Sequence, residues 1–443
     1  MPIRTLWCVC IAAAVPLGRS AGQQLSATDR AQAVATIWAE ARYNFAYWDR
    51  VSADWDSALV ANLRLAAAPQ ADILFYRRLR RFVALLNDGQ AAVTPPSSLQ
   101  SRVARPPLLV RSVERRPFIL DYVENDEMRV ARPERLAEIL SIQGLPAEDW
   151  IRDSILPEIL ASTAADGWQR AVDRMLEGTK ETSLQLLLRL PGGEKRGLSV
   201  TRSLSANERW PFEPPPLEVD TLPDGLAWVR LNTLDQPDVV KHFDRAFPNF
   251  DGVNGLIIDL RENGGGRGGG ISAYGYQILA RLTNQPFLTT RWNTPQYRPV
   301  FRAWGLPDSA LSWYGAPADT VQPRRDRPVY TGPVAVLSSA RTRSAAEEFM
   351  VAFRNTARGP IIGETSAGSS GDALTLPLPR GGSFRLCVKR EAFPYGTEFV
   401  GLGLAPDLPV DVKVSDLLAG RDAVLERARE ELAPGKRMSQ PPN

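Results

Sequence analysis

The feature that most constrains this chain is a short run, Gly255-Leu256-Ile257-Ile258-Asp259-Leu260, apolar at nearly every position. A strand with one wet face alternates apolar and polar residues. A strand that is apolar throughout needs cover on both faces, as in the parallel sheets of α/β proteins. Val334 to Ser338 reads the same way, and Leu226 to Leu231 is a further strand. Helical patterns fall between and after them, at Val239 to Phe247 and from about Ser344 to Thr356. Strands follow at Pro360 to Glu364, Ala373 to Leu378 and Ser383 to Arg390, and Arg421 to Leu432 closes the chain as an amphipathic helix. Residues 217–443 are therefore expected to form one α/β domain. Within it, Phe287 to Val329 is rich in Trp, Pro and Arg without a regular period. That segment fits a lid, an insertion or a long surface excursion.

A chain of 443 residues exceeds one ordinary core, so further domains are expected upstream. From Ala31 to about Asn87 apolar residues recur at three- and four-residue spacing, as in Ile37, Trp38, Ala41, Phe45 and Trp48. Asn87-Asp88-Gly89 ends this pattern, and Pro95-Pro96 marks a boundary, giving a helical domain over 23–100. Residues 101–205 change to short strands, at Leu108 to Val113, Pro117 to Val123, Leu184 to Leu190 and Gly197 to Thr201. The strand and turn Ala137 to Gly144, with Ile139-Leu140-Ser141-Ile142-Gln143-Gly144, resemble a strand of PDZ domains, which bind extended peptides along a sheet edge. A generic small β-rich domain is the alternative. Residues 206–216, with Pro211 to Pro216, read as a proline-rich linker.

The first 22 residues stand apart. Arg4 precedes an apolar run from Leu6 to Leu17, then small residues at Ser20, Ala21 and Gly22. This order reads as a secretory leader cut after Gly22, too short to remain as a membrane anchor. Cys8 and Cys10 would leave with it, so Cys387 alone remains and no internal disulfide is possible. One histidine and one mature cysteine also make no usual zinc cluster, and no cofactor motif is present. The net charge of +3 is spread along the chain, which argues against a nucleic-acid partner.

Two segments carry the chemistry. Asp259-Leu260-Arg261-Glu262-Asn263-Gly264-Gly265-Gly266 runs from a buried strand into three glycines. Consecutive glycines can turn backbone N–H groups toward an anion, although a plain surface turn has the same composition. In Ser338-Ser339-Ala340-Arg341-Thr342-Arg343-Ser344, a strand ends and Ser344 opens a helix. Its hydroxyl then lies at the positive end of the helix dipole, with the next N–H, of Ala345, free. On this segment alone an N-cap serine is the plainer reading, and Glu347 completes a capping box.

Together these segments resemble the C-terminal processing (tail-specific) serine peptidases and the related tricorn protease core. The matching stretches are Asp259 to Gly266, Thr342 to Phe349, Gly363-Glu364-Thr365-Ser366-Ala367-Gly368 and Gly403-Leu404-Ala405-Pro406-Asp407, in the family's order. The resemblance implies a ClpP/crotonase-like spiral core, with the PDZ-like domain and the N-terminal helical domain attached. It also implies Ser344 as nucleophile and the N–H groups of Ala345 and Gly264 or Gly265 as the oxyanion hole. The family's bases, however, are missing. Ser369 stands where one branch has lysine, Gln90 where the other has histidine, and Val400 near the place of its glutamate. Lys389 and Glu398 are the candidate substitutes. The one histidine, His242, is expected to be an exposed helical residue.

The functional expectation is an exported serine endopeptidase acting on C-terminal or unstructured segments of proteins. The alternative is an impaired pseudo-peptidase that binds peptides without cutting them. An acyl-CoA enzyme on the same type of core is disfavoured, because no adenine- or phosphate-binding feature is present.

Overall fold

In the computed structural model of the protein, the run Gly255–Asp259 is the third strand of a six-stranded sheet. The order is Leu217–Thr221, Leu226–Leu231, Gly255–Asp259, Val334–Ser338, Ile361–Gly363 and Leu408–Pro409. The first pair is antiparallel and every later pair is parallel. The structure describes residues 24–205, 208, 214–266, 272–306, 311–326 and 328–435. The expected leader and much of the proline-rich linker lie outside them.

The period of two along each strand divides the apolar side chains between two cores. Leu256, Ile258, Val334 and Val336 face one way, into a cluster with Ile278, Phe349 and Phe353. Ile257, Ala335, Leu337 and Ile362 face the other way, against Val424, Ala428 and Leu432 of the C-terminal segment. The four-residue spacing of that last trio is one helical face, as the amphipathic pattern required. Each such Leu, Ile or Val adds about 1.5–3 kcal/mol on full burial.

The first hundred residues fold as helices Ala27–Asn44, Trp55–Ala67 and Asp72–Ala84. Their apolar faces, including Ile37, Phe75, Leu79 and Phe82, join the same cluster as Val229 and Leu256 of the sheet. The helical part therefore shares its core with the α/β part. Residues 101–205 have a separate core around Ile139, Trp168 and Leu186. It lies under an antiparallel sheet ordered Leu108–Val113, Arg116–Tyr122, Glu138–Ile142, Ser183–Arg189, Lys195–Thr201. Helix Ala164–Arg174 packs on the Leu108–Val113 strand, and its N-terminus reaches the loop beside Ser344.

The segment without a period is structured after all. Arg291–Tyr297 pairs with Leu311–Ala316 on one side and with Arg390–Ala392 on the other. Neither hairpin strand has a buried face, so no apolar alternation was there to read. The expected strand Ser383 to Arg390 is split. Gly382–Cys387 pairs with Ala373–Leu378, and Arg390–Ala392 leaves for the other sheet.

Asp259 ends the central strand fully buried. Arg261 grips it with Nε at 3.0 Å and Nη2 at 2.8 Å, and the Trp228 indole donates at 3.2 Å. Burial alone would raise the carboxyl, yet Arg261 and then Arg230 hold it below the usual range. The turn into the glycine loop thus starts from an ion pair in a dry place. Removing Arg261 leaves the buried carboxylate with the more distant Arg230, at 3.6 Å, as its counter-charge. Arg261→Ala is expected to cost about 3–5 kcal/mol, read from the urea midpoint at unchanged m-value.

Candidate active site

The loop after the Val334–Ser338 strand is pinned before Ser344 is reached. Thr342 Oγ1 donates to the Leu260 carbonyl at 2.9 Å and accepts from the Ser339 N–H at 3.0 Å. The Arg343 N–H donates to the Asn263 carbonyl at 3.2 Å. Two consecutive loops of the sheet are therefore sewn together on the same end. Ser344 then takes φ +57°, ψ −127°, and Ala345–Thr356 continues as a helix. A non-glycine residue there is strained by about 1–3 kcal/mol. Sharp strand-to-helix turns of this kind present a nucleophile clear of its own backbone.

Glu347, one turn into the helix and fully buried, holds this turn. Its carboxylate accepts from the Ser366 hydroxyl at 2.5 Å, the Gly368 N–H at 2.7 Å and the Ser369 N–H at 2.9 Å. The Ser344 N–H also donates to it, at 3.1 Å. Burial pushes the carboxyl up to about 7, against the pull of those donors. The capping-box position was legible in the sequence. The second task, binding the 366–369 loop, needed the fold.

The glycine loop lies directly against the serine. A Cβ on Gly265, at φ +90°, would stand 2.5 Å from Ser344 Cβ and 3.1 Å from its Oγ. Asn263 shapes this approach from a fully buried position, donating to the Leu231 carbonyl at 2.8 Å and accepting the Gly265 N–H at 2.8 Å. The Gly265 N–H is thereby occupied. The Gly264 and Ala345 N–H groups meet no acceptor among the described residues. Of the donors expected from the sequence, these two remain able to bind an oxyanion.

The expected substitute bases are engaged elsewhere. Lys389 Nζ sits 2.6 Å from Glu391 and 3.2 Å from Asp372. Burial alone would lower the ammonium, but Glu391, Glu348 and Asp372 together hold its pKa well above the ordinary range. Glu398 lies between Arg390 and Arg50, and Arg390 first among them lowers its carboxyl. No imidazole, ammonium or carboxylate hydrogen-bonds the Ser344 hydroxyl among the described residues. His242 lies on helix Asp238–Ala246 and is partly buried rather than exposed.

Gln90 does come to the site. Its Nε2 donates to the Ser369 carbonyl at 2.8 Å, the same oxygen that takes the Ser344 N–H at 2.9 Å. Arg385 donates to its Oε1 at 2.9 Å, and Gln90 as a carboxamide accepts no proton at neutral pH. Ser369 is fully buried with a hydroxyl that has no partner among the described residues. Val400 is buried and meets Arg50 through its carbonyl.

Two expected outcomes follow from these environments. An orphaned buried hydroxyl is destabilising, so Ser369→Ala should raise stability by about 1 kcal/mol in chemical denaturation. Glu347 has a folded-state value above the ordinary glutamate range. Its contribution to stability is full below that range and is lost as pH rises through about 7. Between about pH 5 and pH 8 the wild-type protein should lose stability that Glu347→Gln does not lose.

With this geometry in view, the comparisons with known proteins are specific. Residues 225–410 match the profile of peptidase family S41. The chain is 26% identical over 254 residues to the chloroplastic C-terminal processing peptidase of Tetradesmus obliquus, covering 55% of this chain and 49% of that protein. It is 31% identical over 93 residues to the carboxy-terminal-processing protease of Bartonella bacilliformis, 21% of each chain. It thus spans half or less of the length of these two relatives. Among solved structures, mature CPAF superposes with a TM-score of 0.75 at 17% identity, over 94% of this chain and 99% of that one. That likeness concerns the fold. The chain carries a peptidase family S41 domain over residues 225–410.

Proposed function

We propose that this protein is an exported serine endopeptidase that cuts C-terminal or unstructured segments of other proteins, with Ser344 as nucleophile. The observation that carries the reading is the strained backbone of Ser344, at the mouth of a helix and pressed against a glycine loop. An N-cap serine needs no such strain, since capping residues ordinarily sit in the extended region. In the reaction, Ser344 Oγ attacks the scissile carbonyl. The carbonyl oxygen, becoming negative, is received by the N–H groups of Ala345 and Gly264 at the positive end of the helix. Both donors are fixed in advance, so no reorganisation is needed as the charge develops.

The proton on Oγ leaves to water, because Gln90 and Ser369 occupy the places where the resembling peptidases carry a base. Water returns a proton to the departing amine as the C–N bond breaks, and a second water then hydrolyses the acyl group from Ser344. A positioned base contributes roughly 10²–10⁴-fold, so turnover should be slower by that order than with a base in place. The export reading rests on Arg4 and the apolar run Leu6 to Leu17. No helix among the described residues is long and apolar enough to cross a membrane. The 101–205 unit, a small antiparallel sheet with a helix against it, is read as a PDZ-like peptide-binding module.

The engagement of Lys389 by Glu391 and Asp372, and of Glu398 by Arg390 and Arg50, favours a second reading, a fold retained for binding peptides. Cleavage of an unfolded reporter protein separates the two. Slow turnover by wild type that vanishes in Ser344→Ala is the expected result. Peptide binding by both proteins with turnover by neither assigns the chain to the binding class.

A further inference from the structure

A cleft of about 990 Å³ opens between the first hundred residues and the 101–205 unit, and it closes on Arg343, the residue before Ser344. Its lining is strongly one-signed, with seven arginines and three carboxylates. The carboxylates are already committed. Glu158 pairs with Arg77 at 2.8 Å, Glu177 with Arg174 at 3.0 Å, and Asp173 with Arg341 at 2.8 Å. No carboxylate pairs with Arg102 or Arg202 among the described residues. Among the described residues the Arg202 side chain, on a residue 8% exposed, donates to the Leu176 carbonyl at 2.9 Å and the Thr182 hydroxyl at 2.7 Å.

Arg343 is the arginine nearest the chemistry. Its side chain is 22% exposed, and the nearest carboxylate oxygen, on Asp166, is 3.9 Å away. That same oxygen is held by Arg170 at 2.8 Å. The Arg343 stem lies over the glycine loop, with Nε 3.7 Å from where a Gly264 Cβ would be. Burial first, then the neighbouring Arg170 and Arg341, pull the guanidinium down to about 10. It therefore stays charged at neutral pH while being poorly compensated. A half-desolvated guanidinium is costly to keep unless an anion completes it, and its planar fork suits a carboxylate.

We infer that the cleft selects polypeptide substrates bearing an acidic side chain within about two residues of the bond presented to Ser344, with Arg343 receiving that carboxylate. This deepens the peptidase reading by naming its substrate class, and it rests on the cleft carrying the peptide. Arg102 and Arg202 extend the same preference along the cleft. Attraction of this kind between partly exposed charges weakens with salt.

The test measures binding rather than turnover, so it stands apart from the proposal that Ser344 is catalytic. Fluorescent, C-terminally amidated peptides that differ only as Glu or Gln are titrated into full-length Ser344→Ala protein. The Glu peptide should bind about tenfold tighter or better at low salt, and less so as salt is added. Adding Arg343→Met should remove most of that difference, while Arg343→Lys keeps part of it. Arg102→Gln, on the exposed rim and safe for folding, should lower it by a smaller factor.

Equal binding of the two amidated peptides overturns the inference even if the wild-type protein proves to be a peptidase. A Gln peptide with a free C-terminus that gains as much as the Glu peptide also overturns it, because the cleft then reads a chain end. A Glu preference in a protein without turnover leaves the inference standing and sinks only the catalytic reading.

Discussion

The Glu347 carboxylate is the interaction on which the rest of the site depends. One buried group gathers the Ser344 N–H, the Ser366 hydroxyl and the N–H groups of Gly368 and Ser369. A carboxylate in a dry place is costly unless hydrogen bonds satisfy it, and four donors converge here. Through them the N-terminus of the Ala345–Thr356 helix is fastened to the 366–369 loop. That loop in turn receives Gln90 on the Ser369 carbonyl and Thr163 on the Ala367 carbonyl at 3.1 Å. Three distant parts of the chain therefore meet within one hydrogen-bond layer of Ser344. The strain at Ser344 persists because its surroundings over-determine it.

The same arrangement separates two contributions that serine hydrolysis normally combines. In the proposed reading electrostatic preorganisation comes from the helix terminus beside Ser344 and from the Gly264 and Ala345 N–H groups, which meet no acceptor among the described residues. Among the described residues no side chain on the hydroxyl provides for proton removal. Such sites keep part of their acceleration, since oxyanion stabilisation and substrate positioning do not need the base. The surplus of arginines in the adjoining cleft bears on positioning, where a paired carboxylate would hold a bound chain in place.

How much of this was legible in the sequence varied with the physical signal. Gly255–Asp259 and Val334–Ser338 were readable because burial on both faces removes polar residues. Ala373–Leu378 and Leu108–Val113 were readable from their composition and the breaks around them. The hairpin of Arg291–Tyr297 and Leu311–Ala316 was not, because neither strand has a buried face to impose a period of two. The proximity of Gly265 to Ser344 was implied by the family resemblance of the ordered motifs, but the occupation of the Gly265 N–H by Asn263 was not. A side-chain-to-backbone bond two residues apart depends on loop conformation that composition does not encode. Of the ion pairs that engage Lys389 and Glu398, the one between Arg50 and Glu398 joins residues distant in sequence that only the folded chain brings together, whereas Lys389 meets Glu391 two residues away.

The central claim is that Ser344 is a nucleophile held ready in a formed oxyanion site. The most direct measurement is reaction of the folded protein with a serine-reactive phosphonate, followed by intact mass and peptide mapping. The account predicts one adduct per chain, at Ser344, formed slowly and lost on denaturation before treatment. No adduct on the folded protein, or an adduct on another serine with Ser344 unmodified, would contradict it.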